Sequence, residues 1–316
     1  MIWAEKWAMI KKNDLIFASI VYPAARFSEM EAVLLTESIR AFAGSLSRSP
    51  IWFFIPEFGR QLSDSTRDKL LAMDVKLVPF KFELEVLRFP FTADVTAAAL
   101  AESMALSNAN VLAWLTANTV VLNEPVDFLL PEKKVLGYRP VHHTLIGSRY
   151  GEPLDSFWTI IYKRCAVPEE RVFPMKPHVE DEKLRPYFNA GMLVVRPEKR
   201  LFQSWHETFF SVYQDPSLKP FYQQDERYAV FIHQAVLVGV TLSLLKTDEM
   251  LELPPTYNYP IHLYSEDKTD SRPASIEKLA TFRHEGFGKS SDWVTRLPAG
   301  PALKKWFAER IVQEEG

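Results

Sequence analysis

The sequence predicts an α/β protein, a single unit built on an open, mostly parallel sheet with helices on both faces and ending in a helical extension. Three observations carry this. Short β-rich runs alternate with helical patterns through the first third of the chain, the order that builds parallel sheets. A hydrophobic share of 47% supplies a large core. Strong patterning returns after residue 187 with no internal repeat, so one large unit fits 316 residues better than two independent domains.

Residues 15–21 form a β-rich run closed by Pro23. Ser28-Glu29-Met30-Glu31 has the Ser-x-x-Glu form of a capping box, and Val33, Leu34, Ile39 and Phe42 follow on helical spacing up to Gly44. Residues 51–55 read as a compact strand ended by Pro56, 63–73 as a second helix and 75–80 as a third strand. The Ala-rich stretch 93–106 reads as a helix and 111–115 as a buried strand. Ligands of such sheets sit outside the carboxyl ends of the strands, so the residues just after Leu115 matter most. Residues 131–184 are weakly periodic and read as irregular structure over the sheet edge. Pattern resumes at 187–197, in a helix over 201–213 with Trp205 and Phe209 on one face, and at 229–238. Residues 301–313 form an amphipathic helix with Leu303, Trp306, Phe307 and Ile311 inward. The division expected is therefore 1–295 for the main domain and 296–316 for a C-terminal helix packed on it.

Lys plus Arg number 37 and Asp plus Glu 40, for a net charge of -3. No basic field draws in nucleic acid or anionic lipid. The lone cysteine, Cys165, excludes an intramolecular disulfide and a Cys-based zinc cluster. Residues 1–10 contain Trp3, Glu5, Lys6 and Trp7, and the polar residues 11–14 follow, so no uninterrupted signal-like apolar region with a small-residue cleavage site is read there. The run 15–21 is too short to span a bilayer, which needs about 20 apolar residues. The expectation is a soluble, cytoplasmic protein with no transmembrane segment.

Several motifs fail on inspection. Gly288-Lys289-Ser290 ends like a phosphate-binding loop, but Arg283 stands at the required upstream glycine. His206-Glu207 begins like a zinc-protease helix, yet Phe210 occupies the second histidine position. No Gly-x-Gly-x-x-Gly follows the first strand. His142-His143 reads as a surface pair in a loop, without a metal.

Four segments survive. They are Thr116-Ala117-Asn118-Thr119 between two apolar runs, Phe188-Asn189-Ala190-Gly191 leading into a strand, His233-Gln234, and His284-Glu285-Gly286-Phe287-Gly288-Lys289 followed by Trp293. Together they resemble the nucleotide-sugar glycosyltransferases of the GT-A fold, especially the glycogenin- and galactosyltransferase-like group (family 8-like). There the first segment is Asp-x-Asp, the second Phe-Asn-x-Gly, the third Asp-Gln before a helix, and the fourth a closing His-x-x-Gly-x-x-Lys. The resemblance implies a single GT-A, Rossmann-like domain. It also implies donor contacts by Thr116, Asn118, Asn189, Gly191, His233, Gln234, His284, Gly286, Gly288 and Lys289. It assigns no catalytic residue.

The chemistry asks for these residue types. A nucleotide diphosphate concentrates negative charge at the bond that breaks, and the leaving phosphate must be stabilised. In the resembled group two carboxylates and a histidine hold a divalent metal against both phosphates, and the closing glycines and lysine bring amides and an ammonium to the same oxygens. Here Thr116 and Asn118 replace both carboxylates, and His233 replaces the acid near the sugar. Manganese or magnesium wants anionic oxygen ligands, so Asn118 and His284 are only weak metal candidates, with any ion carried by the donor's phosphates. Lys289, His284 and Arg283 could supply part of the missing positive charge. The leading expectation is a glycosyltransferase with weak or no metal dependence. It would take a nucleotide-sugar donor and a glycan, protein or small-molecule acceptor. Its alternatives are an inactive GT-A domain that binds a nucleotide or glycan, and a purely structural scaffold. A glycoside hydrolase would need facing carboxylates, and Glu180-Asp181-Glu182 and Asp225-Glu226 read as solvated faces.

Overall fold

The structure, a computed structural model, describes residues 12–81, 89–285 and 293–311. The N-terminal tryptophans Trp3 and Trp7, and Gly286, Gly288 and Lys289 of the closing segment, lie outside the described residues.

Four strands run parallel, β1 (Asn13–Ile20), β2 (Ile51–Pro56), β3 (Val75–Phe80) and β4 (Ala109–Leu115). β6 (Leu136–Pro140) and β8 (Met250–Glu252) pair parallel with each other, and β7 (Phe188–Val195) lies antiparallel between β4 and β6. The spatial order is β3-β2-β1-β4-β7-β6-β8. A smaller sheet, in the order β5-β10-β9, joins β5 (Thr119–Val121), β9 (Tyr259–Pro260) and β10 (Thr281–Arg283).

Alternate strand residues serve opposite cores, as the two-residue period of a strand requires. Ile16, Ala18, Trp52, Phe54, Leu112 and Trp114 pack with α3 (Thr92–Ala105), α5 (Leu201–Val212) and α7 (Glu226–Leu244). Leu15, Phe17, Ile51, Phe53, Val111 and Ala113 pack on the other face with α1 (Arg26–Phe42) and α2 (Asp64–Ala72). Ala97, Ala98, Ala101 and Ala105 are fully buried, and their small side chains bring α3 close to the sheet. α7 is long and apolar enough to cross a membrane by composition, but its run from Ile232 to Leu242 is buried within the fold, which makes it the core helix. In the C-terminal extension, Phe307 of α9 (Pro301–Ala308) packs against Phe282 and Trp293, with ring centroids 6.0 and 5.8 Å apart.

Two local expectations are corrected. No side chain caps α1. Ser28 Oγ instead accepts from the Tyr22 amide at 2.9 Å, and Glu29 accepts from the amides of Ala24 and Ser63, so the polar residues of the supposed capping box tie α1 to neighbouring loops. The weakly periodic stretch 131–184 is also more regular than expected. It contributes β6, an interior strand, and α4 (Ser156–Arg164), capped by Asp155 accepting from the Trp158 amide. β6 escaped notice because Arg139 and Pro140 break its apolar pattern while all five of its residues are buried. Arg139 Nη1 donates inside to the Leu253 carbonyl at 2.7 Å and to Glu252 at 3.0 Å.

Candidate functional site

The turn after β4 is the centre of the site. Because β7 enters antiparallel, its first residues arrive beside the carboxyl end of β4. The ladder ends at Leu115 opposite Met192, and the Thr116 amide then donates to the Gly191 carbonyl at 2.8 Å. This places the Phe-Asn-Ala-Gly segment against the turn.

The C-terminal segment arrives by a second pairing. Arg283 of β10 lies opposite Thr119 of β5. One residue on, the His284 amide donates to the Asn118 carbonyl at 3.0 Å, and Asn118 Nδ2 donates back to the His284 carbonyl at 2.7 Å. α7 completes the set, with Gln234 Oε1 accepting from the Ala190 amide at 3.0 Å.

These segments line a narrow cleft of ≈ 40 Å³, where Thr116, Gly191, His233 and Gln234 meet Asp94 and Arg283. A water needs about 10–15 Å³ on this measure, so the cleft has room for a few waters. Asn189 sits just behind it. Its Oδ1 accepts from the Gly191 amide at 2.8 Å and from Arg283 Nη1 at 3.4 Å. His284 lines a larger cavity of ≈ 480 Å³ together with His262, Glu285 and Trp293. Asn118 faces His284 and is absent from the cleft lining among the described residues.

His233 lies within α7, midway along the helix where the resemblance expected a position before one. Its Nδ1–H donates to the Val230 carbonyl at 2.9 Å, and its ring lies 4.6 Å from Phe91 and 6.4 Å from Trp205, centroid to centroid. Burial, with the Arg283 charge nearby, pushes its pKa down to about 3, so the imidazole is neutral and leaves Nε2 as an acceptor.

The expected surface pair His142-His143 is corrected. His142 is buried, and its Nε2 stands 3.2 Å from the Asn258 carbonyl and 3.4 Å from Asn189 Nδ2. Only His143 is partly exposed, bonded to Glu180 at 3.0 Å. Burial in the company of Arg283, His178 and His262 holds the His142 pKa well below the usual imidazole value.

Sequence reasoning missed Asp94 and Tyr22. The Tyr22 hydroxyl, beyond the carboxyl end of β1, donates to Asp94 Oδ2 at 2.5 Å, and burial raises the Asp94 pKa to about 6. An aspartate in the first turn of a helix ordinarily reads as dipole compensation, which hid it.

The donor set does not fit a divalent metal. The turn offers a threonine hydroxyl and an amide whose nitrogen is bonded to His284, and the cleft sets beside it the Arg283 guanidinium and a single carboxyl, Asp94, already bonded by Tyr22. Asn118 Oδ1 is buried with no partner among the described residues, but one neutral carbonyl is a poor ligand set for a hard cation. No cluster of three His, Cys, Asp or Glu side chains gathers among the described residues.

Residues 19–240 match the profile of the Rhodobacterales glycosyltransferase domain. The chain belongs to that family. No curated protein matches this glycosyltransferase domain in sequence. Its fold is similar to that of the galactosyltransferase LgtC in complex with donor and acceptor sugar analogues, at 12% identity and a TM-score of 0.52, over 94% of this chain and 95% of that one. An active-site variant of LgtC aligns with a TM-score of 0.53 at 12% identity, over 93% of this chain and 94% of that one. The apo bifunctional glycosyltransferase WbbM aligns with a TM-score of 0.50 at 12% identity, over 89% of this chain and 47% of that one. These likenesses identify the α/β architecture as a GT-A domain.

Proposed function

We propose that the protein transfers a sugar from a nucleotide-diphosphate donor to a hydroxyl acceptor, with weak or no dependence on a divalent metal. The observation that carries this reading is the convergence of four distant segments, at Thr116, Gly191, Gln234 and Arg283, on one cleft at the carboxyl end of β4. That is where open α/β sheets hold their ligands. In this reading the sugar lies against Asn189, His233 and Gln234, whose amides and neutral imidazole offer hydrogen bonds to hydroxyls. The diphosphate lies toward Arg283 and His284. The acceptor hydroxyl oxygen attacks the anomeric carbon as the carbon's bond to the phosphate oxygen breaks; the nucleoside diphosphate leaves with the electron pair beside the positive charge and takes up the hydroxyl proton. The cytoplasm, where nucleotide sugars are made, is the proposed compartment.

A thermal-shift screen of UDP-, GDP- and ADP-sugars, with and without manganese, followed by assay of nucleotide release, tests the reading. Binding to the folded state must raise the melting temperature. A donor that stabilises the protein and is turned over supports transfer; no shift with any of them sinks it. One observation favours a second reading, an inactive GT-A domain that binds nucleotide or glycan. The cleft has room for only a few waters and must widen to admit a sugar ring. Stabilisation by a donor with no nucleotide release would select that reading.

A further inference from the structure

We infer that Arg283 is the site's built-in cation, binding phosphate oxygens of the donor where the resemblance would place a divalent metal. The inference rests on the donor-binding reading above and names the residue that makes a metal dispensable.

Position comes first. The pairing of β10 with β5 fixes Arg283 beside the turn, and its side chain reaches across to the start of β7. A Cβ built on Gly191 would stand 2.7 Å from Arg283 Nη1, 2.9 Å from Asn189 Oδ1 and 3.1 Å from Thr116 Oγ1. The guanidinium therefore occupies the crook between Thr116 and Asn189, and it fits there because residue 191 has no side chain.

Charge comes second. The side chain is 18% exposed, with Glu285 4.0 Å away, at the limit of an ion pair, and with Glu31 and Asp94 near enough to act on its charge. Its bond to Asn189 is long, at 3.4 Å, and its buried Nε has no hydrogen-bond partner among the described residues. A shielded guanidinium with one long hydrogen bond and an unbonded Nε keeps donors for an incoming anion. The surrounding imidazoles do not compete for that anion. Burial and the Arg283 charge both hold His142, His233 and His284 neutral.

Geometry comes third. A guanidinium presents a planar fork of donors that matches two phosphate oxygens, whereas a lysine offers a point charge. It is also permanently charged, so a site built on it needs no ion from solution.

The test is calorimetry of the full chain with UDP, GDP and inorganic pyrophosphate, in EDTA and again with manganese. The wild type is expected to bind a nucleoside diphosphate or pyrophosphate in EDTA, with manganese changing the affinity by less than about threefold. Arg283→Gln should weaken binding at least tenfold, and Arg283→Lys should fall between. If Arg283→Gln does not fold, as judged by circular dichroism, Arg283→Lys alone decides, and a loss of threefold or more supports the inference. Equal affinity in the folded variants overturns it and leaves the transferase reading intact. Binding by the wild type only when manganese is present also overturns it alone. Arginine-dependent binding without turnover of any donor sugar would uphold the inference and remove the transferase reading. No binding of any probe by the wild type overturns both.

Discussion

Asn118 and His284, 166 residues apart in sequence, are bonded to each other twice, by the Asn118 Nδ2 bond to the His284 carbonyl at 2.7 Å and the His284 amide bond to the Asn118 carbonyl at 3.0 Å. The residue that stands at the second acidic position of the resembled Asp-x-Asp is thus a clasp between the turn and the C-terminal segment. An aspartate could not make this bond, because a carboxylate is acceptor-only and would face a carbonyl oxygen.

Asn118→Asp is therefore expected to destabilise the fold by about 1–3 kcal/mol, the cost of leaving a buried acceptor unpaired. Urea unfolding of the variant beside the wild type measures it. An unchanged midpoint would show that the clasp contributes nothing.

Gly191→Ala places a methyl 2.7 Å from Arg283 Nη1. Overpacking of this kind costs about 1–3 kcal/mol, and the displaced guanidinium should weaken nucleotide affinity beyond what the loss of stability explains. Denaturation and calorimetry on the same variant separate the two effects. Wild-type affinity would contradict the prediction.

Acid should unfold the protein from the neutral side downward. Burial lowers His178, His233 and His284 to about 3, with nearby charges adding to the shift, and holds His142 well below the usual imidazole value. Unfolded histidines take protons below about pH 6.5 while the folded ones do not, so stability is full above that pH and is lost as pH falls toward 3. Each such histidine contributes a slope of up to about 1.4 kcal/mol per pH unit. Melting temperatures measured from pH 8 to pH 4 should fall steeply below 6.5. A flat profile would mean that these imidazoles are charged inside the fold.

Asp94 acts with the opposite sign. Its folded pKa is raised to about 6, chiefly by burial, so its contribution is greatest below the unfolded value and is lost as pH rises from about 4 through 6. Removing the titration with Asp94→Asn should change the stability difference from wild type by up to about 3 kcal/mol between pH 4 and pH 7, in favour of the variant at the higher pH. The difference in unfolding free energy across that range is the readout. A constant difference would refute the raised pKa.

Most of the scaffold was legible because periodicity follows burial. β1 to β4, α2 and α3 fall within a few residues of the runs read from the sequence. β6 was not legible, since its interior includes Arg139, whose Nη1 donates to groups brought from β8 and beyond. In the candidate site, the turn at Thr116 left a local mark because it follows an apolar run, whereas Gly191 was reached only through the resemblance of Phe188-Asn189-Ala190-Gly191 to a family segment. Asp94, Tyr22 and the burial of His142 left none, because only tertiary contact distinguishes them from surface residues of the same type. Arg283 was visible as a charge, but its role depends on the reach of its side chain across two sheets.

Among the described residues, the strand that carries Arg283 is the last to be synthesised. When a nascent chain has delivered β1 through β8, the large sheet can already pair throughout, while β10, the clasp on Asn118 and the guanidinium are still missing. Domains generally begin to fold from their N-terminal part during synthesis, so this order has a practical result. On the proposed reading, a chain truncated before residue 283 would carry the large sheet without the guanidinium proposed to grip phosphate, and would also lack Trp293 and Phe307 of the core around the small sheet.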